Sequence, residues 1–204
     1  MSNPLRKGRK ADPSKDEAIL EAANDLFAER GYGVSIDEIA AVAGVSKQTI
    51  YARYARKDDL LAAVIHKTAE DLVSPLSVGA LPPQQALAKF GERFLEVAFS
   101  PAKIATQRLI IAEATKFPDL ARAYYENGPL YVRKKLAAYI ARAVDEGSLK
   151  VEDAEMAASQ FLGLLIGADH VKFLMGLNST ECPGSRTYRI RAAVDAFLCI
   201  YAAQ

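Results

Sequence analysis

Apolar residues recur along almost the whole chain at intervals of three and four, the spacing of one helix face, and two-residue alternation is nearly absent. The first stripe is Ala18, Ile19, Ala22, Ala23, Leu26 and Phe27, which predicts a helix from about Ser14 to Arg30, ended by Gly31. Ser35-Ile36-Asp37-Glu38 has the form of a capping box, in which serine and glutamate satisfy each other's orphan backbone N–H groups. A second helix therefore runs from there to about Val42. A short third helix follows Ser46 and ends near Tyr54; a fourth starts near Lys57 and carries Leu60, Leu61, Val64 and Ile65. Pro75, Pro82 and Pro83 mark a break after it. Further helices are predicted at about 83–99, 102–116, 118–127, 129–146, 153–175 and 186–203, punctuated by Pro101, Pro118, Gly128-Pro129, Gly147 and Cys182-Pro183-Gly184.

The expected fold is all-α, with about nine to ten helices. Residues 1–13 read as a basic arm, 14–57 as a three-helix unit, and 58–204 as a larger helical bundle joined to it by the helix at about 57–73. Within the first unit the pair of short helices has helix-turn-helix spacing. Ala40 is small where two helices must touch, and Gly44 falls where the turn needs a left-handed backbone. Ile50 is apolar where the second helix packs back on the first, with Ile36, Ile39 and Val45 filling the small core.

Charge sharpens this picture. The net charge is only +1, from 26 basic and 25 acidic residues, so the total points to no polyanion. The distribution does. Arg6, Lys7, Arg9 and Lys10 form one acid-free stretch, and Lys47, Arg53, Arg56 and Lys57 lie in another, from Ile39 to Lys57. A helix that enters the DNA major groove needs polar side chains at its exposed N-terminal end and cations beside them. Lys47, Gln48 and Thr49 form that end, with Ser46 as its cap. Gln48 is the base reader, since its amide can pair bidentately with adenine. Thr49 can donate to a phosphate or touch a thymine methyl.

Cys182 and Cys199 fit no zinc spacing and read as reduced thiols, and no metal or cofactor is expected. No apolar run approaches the ~18 residues of a membrane span, and no secretory signal opens the chain, so no membrane partner and a cytoplasmic location are expected. An enzyme has little support: Gly31-Tyr32-Gly33 lacks the third glycine and the preceding strand of a dinucleotide site. A helical adaptor that binds only protein leaves the acid-free segment unexplained.

The set Ile19-Leu20-Glu21-Ala22-Ala23, Leu26-Phe27, Gly31-Tyr32, Ile39-Ala40, Ala43-Gly44-Val45-Ser46, Thr49-Ile50-Tyr51 and Lys57-Asp58-Asp59-Leu60-Leu61 resembles the TetR family of transcriptional regulators. Arg108-Leu109-Ile110, Phe117-Pro118-Asp119-Leu120, and Gly147 with Leu149 resemble the AefR-like ligand domains within it. The resemblance implies a homodimer that reads a pseudo-palindromic operator with its third helices and is released, as a repressor, by a small-molecule effector. It also implies that Tyr51 and Lys57 hold backbone phosphates. Ser35 either contacts a phosphate or serves only as a cap. Arg53 either reaches the duplex or is simply solvated, Tyr54 belongs to the core, and the arm 6–10 enters the minor groove, attracts phosphate or is disordered.

Two helices of the larger part are unusually apolar. Ser159, Gly163 and Gly167 form a small-residue stripe that Val171 extends, and Ile190, Ala193, Val194, Phe197 and Tyr201 form an apolar stripe. Together they are expected to build a four-helix dimer interface, with packing inside one subunit as the alternative. Phe90, Phe94, Ile104, Arg108, Ile111, Phe117, Tyr124, Tyr131, Phe161 and Asp169 offer an effector pocket, apolar with a few polar anchors, for an apolar or aromatic effector; ordinary core packing is the alternative for each. Asp169-His170 reads as a structural pair.

Overall fold

A computed structural model describes residues 13–77, 81–177 and 185–203; the basic arm at 6–10 and Cys182 lie outside them. The fold is all-α, with no named strand among the described residues. Helix α1 (Pro13–Arg30) leads into a single 3-10 turn and then α2 (Ile36–Val42), α3 (Lys47–Tyr51) and α4 (Lys57–Val73). After a second 3-10 turn come α5 (Pro83–Ala98), α6 (Pro101–Glu113), α7 (Pro118–Tyr125), α8 (Tyr131–Asp145), α9 (Ala154–Ile166), α10 (His170–Leu174) and α11 (Arg186–Tyr201).

The local chemistry of the helix ends accounts for most boundaries. The Ser35–Glu38 capping box is complete, and Ser46, Ser100, Asp153 and Ser185 each cap the helix that follows through a side-chain oxygen. Prolines begin α5, α6 and α7, where their missing N–H is no loss.

Two cores form. The first joins α1, α2 and α3 to the start of α4 around Ile19, Ile39, Ile50 and Leu60, each with no exposure, and takes in Ile110, Leu120 and Tyr124 from α6 and α7. The second is built from the end of α4 with α5, α8, α9 and α11 around Phe90, Leu136, Ile140, Phe161 and Phe197. The expected boundary at residue 57 therefore falls at the start of a helix that serves both cores: Leu60, Leu61, Val64 and Ile65 belong to the first, Ala69, Leu72 and Val73 to the second.

Two expected elements differ. The single helix at 153–175 is broken: Gly167 takes a left-handed φ of 62°, and α10 starts afresh beyond it. Arg189 fills the gap, donating to the Ile166 carbonyl at 2.8 Å and to Asp169 at 3.1 Å. Conversely, Gly128-Pro129 does not interrupt the chain. Glu126–Leu130 widens into a π turn between α7 and α8, which accommodates a proline that has no N–H to donate. Gly128 lies so close to α4 that a Cβ there would sit 3.0 Å from Ile65 Cγ2.

Candidate nucleic-acid interface

The turn between α2 and α3 is made by Gly44 at φ 64°, and the Val45 amide donates back to the Ala40 carbonyl at 3.0 Å. Ile50 is fully buried, so the opposite side of α3 must face outward. It does: Lys47, Gln48 and Tyr51 are exposed, and Thr49 is partly so. The Ser46 hydroxyl accepts from the Thr49 amide and pairs with the Thr49 hydroxyl at 2.8 Å, which fixes the tip of the helix. Ser35 is occupied as a cap, its hydroxyl donating to Glu38 at 2.7 Å.

Two of the expected DNA-binding residues are turned elsewhere. Arg53 is only 16% exposed in its side chain and pairs with Asp16 of α1 at 3.2 Å. The Tyr54 hydroxyl donates to the same carboxylate at 3.0 Å, so Asp16 fastens the end of α3 to α1. Lys57 donates to the Tyr32 carbonyl and its ammonium lies 4.2 Å from the centre of the Tyr32 ring, while the Tyr32 hydroxyl bonds Asp58. Burial lowers the Lys57 ammonium below its ordinary value. In this arrangement Lys57 clips the turn at Gly31–Gly33 to α4 instead of projecting from the surface.

The ten residues expected as an effector pocket do not line one cavity. Phe90 and Phe161 are fully buried core with rings 6.3 Å apart, and Phe94 stacks on Phe90. Ile104 and Tyr124 are buried as well, whereas Ile111 and Phe117 are exposed. Arg108 donates to the carbonyls of Phe173 and Leu174, closing the end of α10. Tyr131 packs edge-on against His66, and Asp169 pairs with Lys172 and Arg189. Asp169 and His170 are not a hydrogen-bonded pair: His170 is buried against the edge of Phe99, and burial lowers its pKa. A separate open cleft of about 880 Å³ lies between α1, α4, α5 and the start of α6, lined by Glu21, Asp25, Asp71, Arg93 and Glu96 among others.

The dimer expectation is half redirected. Ser159, Gly163 and Gly167 are exposed, and Val171 is too. On α11, however, Ile190, Ala193, Val194 and Phe197 are buried in their own subunit's core, so they cannot also meet a partner. Tyr201 is partly buried and bonds Gln160 through its hydroxyl. The outward stripe of α11 is Tyr188, Ala192, Asp195 and Cys199.

Residues 85–203 match the AefR-like transcriptional repressor C-terminal domain, and residues 19–64 match the bacterial regulatory proteins of the tetR family. The chain belongs to the TetR family. A solved TetR-family regulator from Mesorhizobium loti is 28% identical, with 95% of this chain and 99% of that one covered and a TM-score of 0.76. The flavonoid-responsive regulator FrrA is 32% identical over 95% of this chain and 100% of its own, with a TM-score of 0.66. Among curated relatives, the transcriptional activator FasR of Mycolicibacterium smegmatis is 42% identical over 57 residues, 28% of this chain and 26% of its own length. The repressor SCO4008 of Streptomyces coelicolor is 45% identical over 69 residues, 33% of this chain and 36% of its own. The alignments with FasR and SCO4008 thus span well under half of either relative.

Two features of the α3 surface in this TetR-family chain were not singled out in the sequence. Arg56, which the sequence shows only as part of a basic run, is more exposed than Lys57, although it pairs weakly with Asp59 at 3.5 Å. Asp37, which serves the α2 N-terminus, also holds the Lys47 ammonium at 2.8 Å and raises its pKa. That carboxylate therefore lies beside the exposed tip of α3. Asp37→Asn should tighten binding to DNA of any sequence by roughly three- to ten-fold at low salt and narrow the gap between specific and random duplexes. Fluorescence anisotropy on two unrelated duplexes measures this; an unchanged affinity for both removes Asp37 from the account.

Proposed function

We propose that this TetR-family regulator represses transcription as a homodimer, holding a pseudo-palindromic operator with paired α3 helices and leaving it when a small-molecule effector occupies the helical half. The observation that carries the DNA reading is the outward α3 tip, where Lys47, Gln48 and Tyr51 stand exposed on a helix anchored by buried Ile50. Lys47, Tyr51 and Arg56 would engage phosphates, and Gln48 and Thr49 would reach base edges. Thr49 reaches them through its methyl group, since its hydroxyl is held by Ser46. Repression is supported by the match to AefR-like repressor domains, and an aromatic or apolar effector by the likeness to a flavonoid-responsive regulator.

Two α3 helices reach successive major grooves only if they are ~34–36 Å apart, which requires a dimer. The outward stripes of α9 and α11 supply the surface. Gly163 has nothing within 4 Å of where a Cβ would be, and Leu164, Gly167, Tyr188 and Ala192 line a shallow groove beside it. Light scattering should give two chains per particle. Gly163→Arg, which puts a charge on that stripe without touching the core, should give one chain with an unchanged helical circular dichroism spectrum. A Gly163→Arg variant that stays fully dimeric would place the interface elsewhere.

A gel-shift titration against the DNA upstream of the chain's own gene tests the DNA reading. With Lys47 and Arg56 neutralising about four phosphates per dimer, log K should fall against log salt with a slope of about −4. A flat salt response, or equal affinity for every duplex, would count against an operator-binding role.

A further inference from the structure

Lys103 and Gln107 lie one turn apart on α6 and meet Tyr124 of α7. The Lys103 ammonium is 4.6 Å from the centre of the Tyr124 ring and is in no ion pair with a carboxylate among the described residues. Burial alone pushes it down to about 8. Tyr124 is 7% exposed, its hydroxyl is beside the Gln107 side chain, and burial raises its pKa. Apart from the contact between them, neither the Tyr124 hydroxyl nor Gln107 Oε1, both buried, has a hydrogen-bond partner in the protein. A cation without a counter-charge, a hydroxyl and an amide oxygen thus lie together between two helices, at the margin of an apolar core that includes Val64, Ile110 and Leu120. Buried polar groups are normally paired, because leaving them unpaired is costly. An ammonium with no counter-charge, beside a tyrosine and a glutamine that have only each other, fits a ligand that brings a negative charge and a further hydrogen bond.

We propose that Lys103, Gln107 and Tyr124 form the recognition site for a small organic carboxylate with an apolar or aromatic body. The carboxylate supplies the missing negative charge to Lys103 and accepts the Tyr124 hydroxyl proton in a hydrogen bond. The body lies against Val64 and Leu120, and a hydroxyl on it, in ligands that carry one, adds a bond to Gln107 Oε1. A neutral apolar molecule would leave the lysine unpaired, and a cation would be repelled by it. Tyr124, Ile110 and Leu120 belong to the same core as the DNA-binding helices, so opening this site to admit a ligand disturbs the packing beneath α1 and α4. The inference rests on the effector-released regulator described above and names the chemical class of that effector.

Calorimetric titration of the full chain with benzoate and cinnamate, against benzamide and cinnamamide as uncharged isosteres, tests it. The acids should bind saturably, at least about ten-fold more tightly than the amides, since a charge-assisted contact is worth that ratio or more. Lys103→Met should abolish the preference while keeping the melting transition and the DNA affinity of the unliganded protein. Lys103→Arg should retain part of the preference. Equal binding of acid and amide, an undiminished preference in Lys103→Met, or no saturable binding of either acid overturns the proposal. Gel shifts of the unliganded protein separate the two readings. Operator binding that benzoate and cinnamate leave untouched defeats only the effector class, whereas absence of operator binding defeats the regulator reading itself.

Discussion

Phe161→Ala should lower the stability of the chain by about 3–5 kcal/mol, the range for deleting a large buried aromatic ring. Phe161 has no solvent exposure and lies at the centre of α9. Its ring meets Phe197 of α11 edge-on at 5.2 Å and Phe90 of α5 at 6.3 Å. Removing it takes away apolar burial and leaves a hole that three helices at fixed positions cannot fill, so transfer and cavity terms add. For a chain of this size the melting temperature should drop by roughly 6–20 °C, measured by circular dichroism. A change under about 1 kcal/mol would mean that Phe161 lines a space open to ligand or solvent. The same test therefore separates its expected role as pocket lining from the packing role that the structure gives it.

The combined variant Lys47→Ala, Tyr51→Phe should bind operator about 10²–10⁴-fold more weakly. Each dimer would lose two ammonium and two hydroxyl contacts to phosphate, together about 3–6 kcal/mol, since all are exposed and Lys47 is already paired with Asp37. Both residues are exposed, so the melting temperature should stay within a degree or two. The salt slope should also become shallower by about two, one for each lysine removed. Retention of full affinity by this variant would show that α3 is not the surface that meets DNA.

The N-terminal unit was legible because its signals are local. Ser35 with Glu38, Ser46, and Gly44 each act on backbone within a few residues, and each appears in the structure in the expected role. What could not be read depends on distant partners. Gly167 belongs to a small-residue stripe by spacing, yet it ends α9 because Arg189, from another helix, takes up the freed carbonyls. Helix α11 is apolar or small on two sides, with Ile190, Ala193, Val194 and Phe197 on one and Ala192 and Cys199 on the other. Periodicity gives such a helix no single inward direction. Arg53 and Lys57 sit in an acid-free stretch of sequence, but Asp16 and the Tyr32 carbonyl reach them through the fold. The aromatic residues chosen for a pocket divide between filled core and open surface for the same reason: residue type predicts burial, while only packing decides whether a space remains.

Helix α4 has 17 residues and contributes side chains to both cores. At the rise of an α-helix it is a rod of about 26 Å. Pivoting such a rod by ~5° about one end sweeps the other through roughly 2 Å, about two-thirds of the axial step between neighbouring base pairs. In the proposed operator complex, small angular play at the far end would thereby be magnified into a mismatch of phase with the duplex, and the short helices proposed to read it could travel as a unit without unfolding.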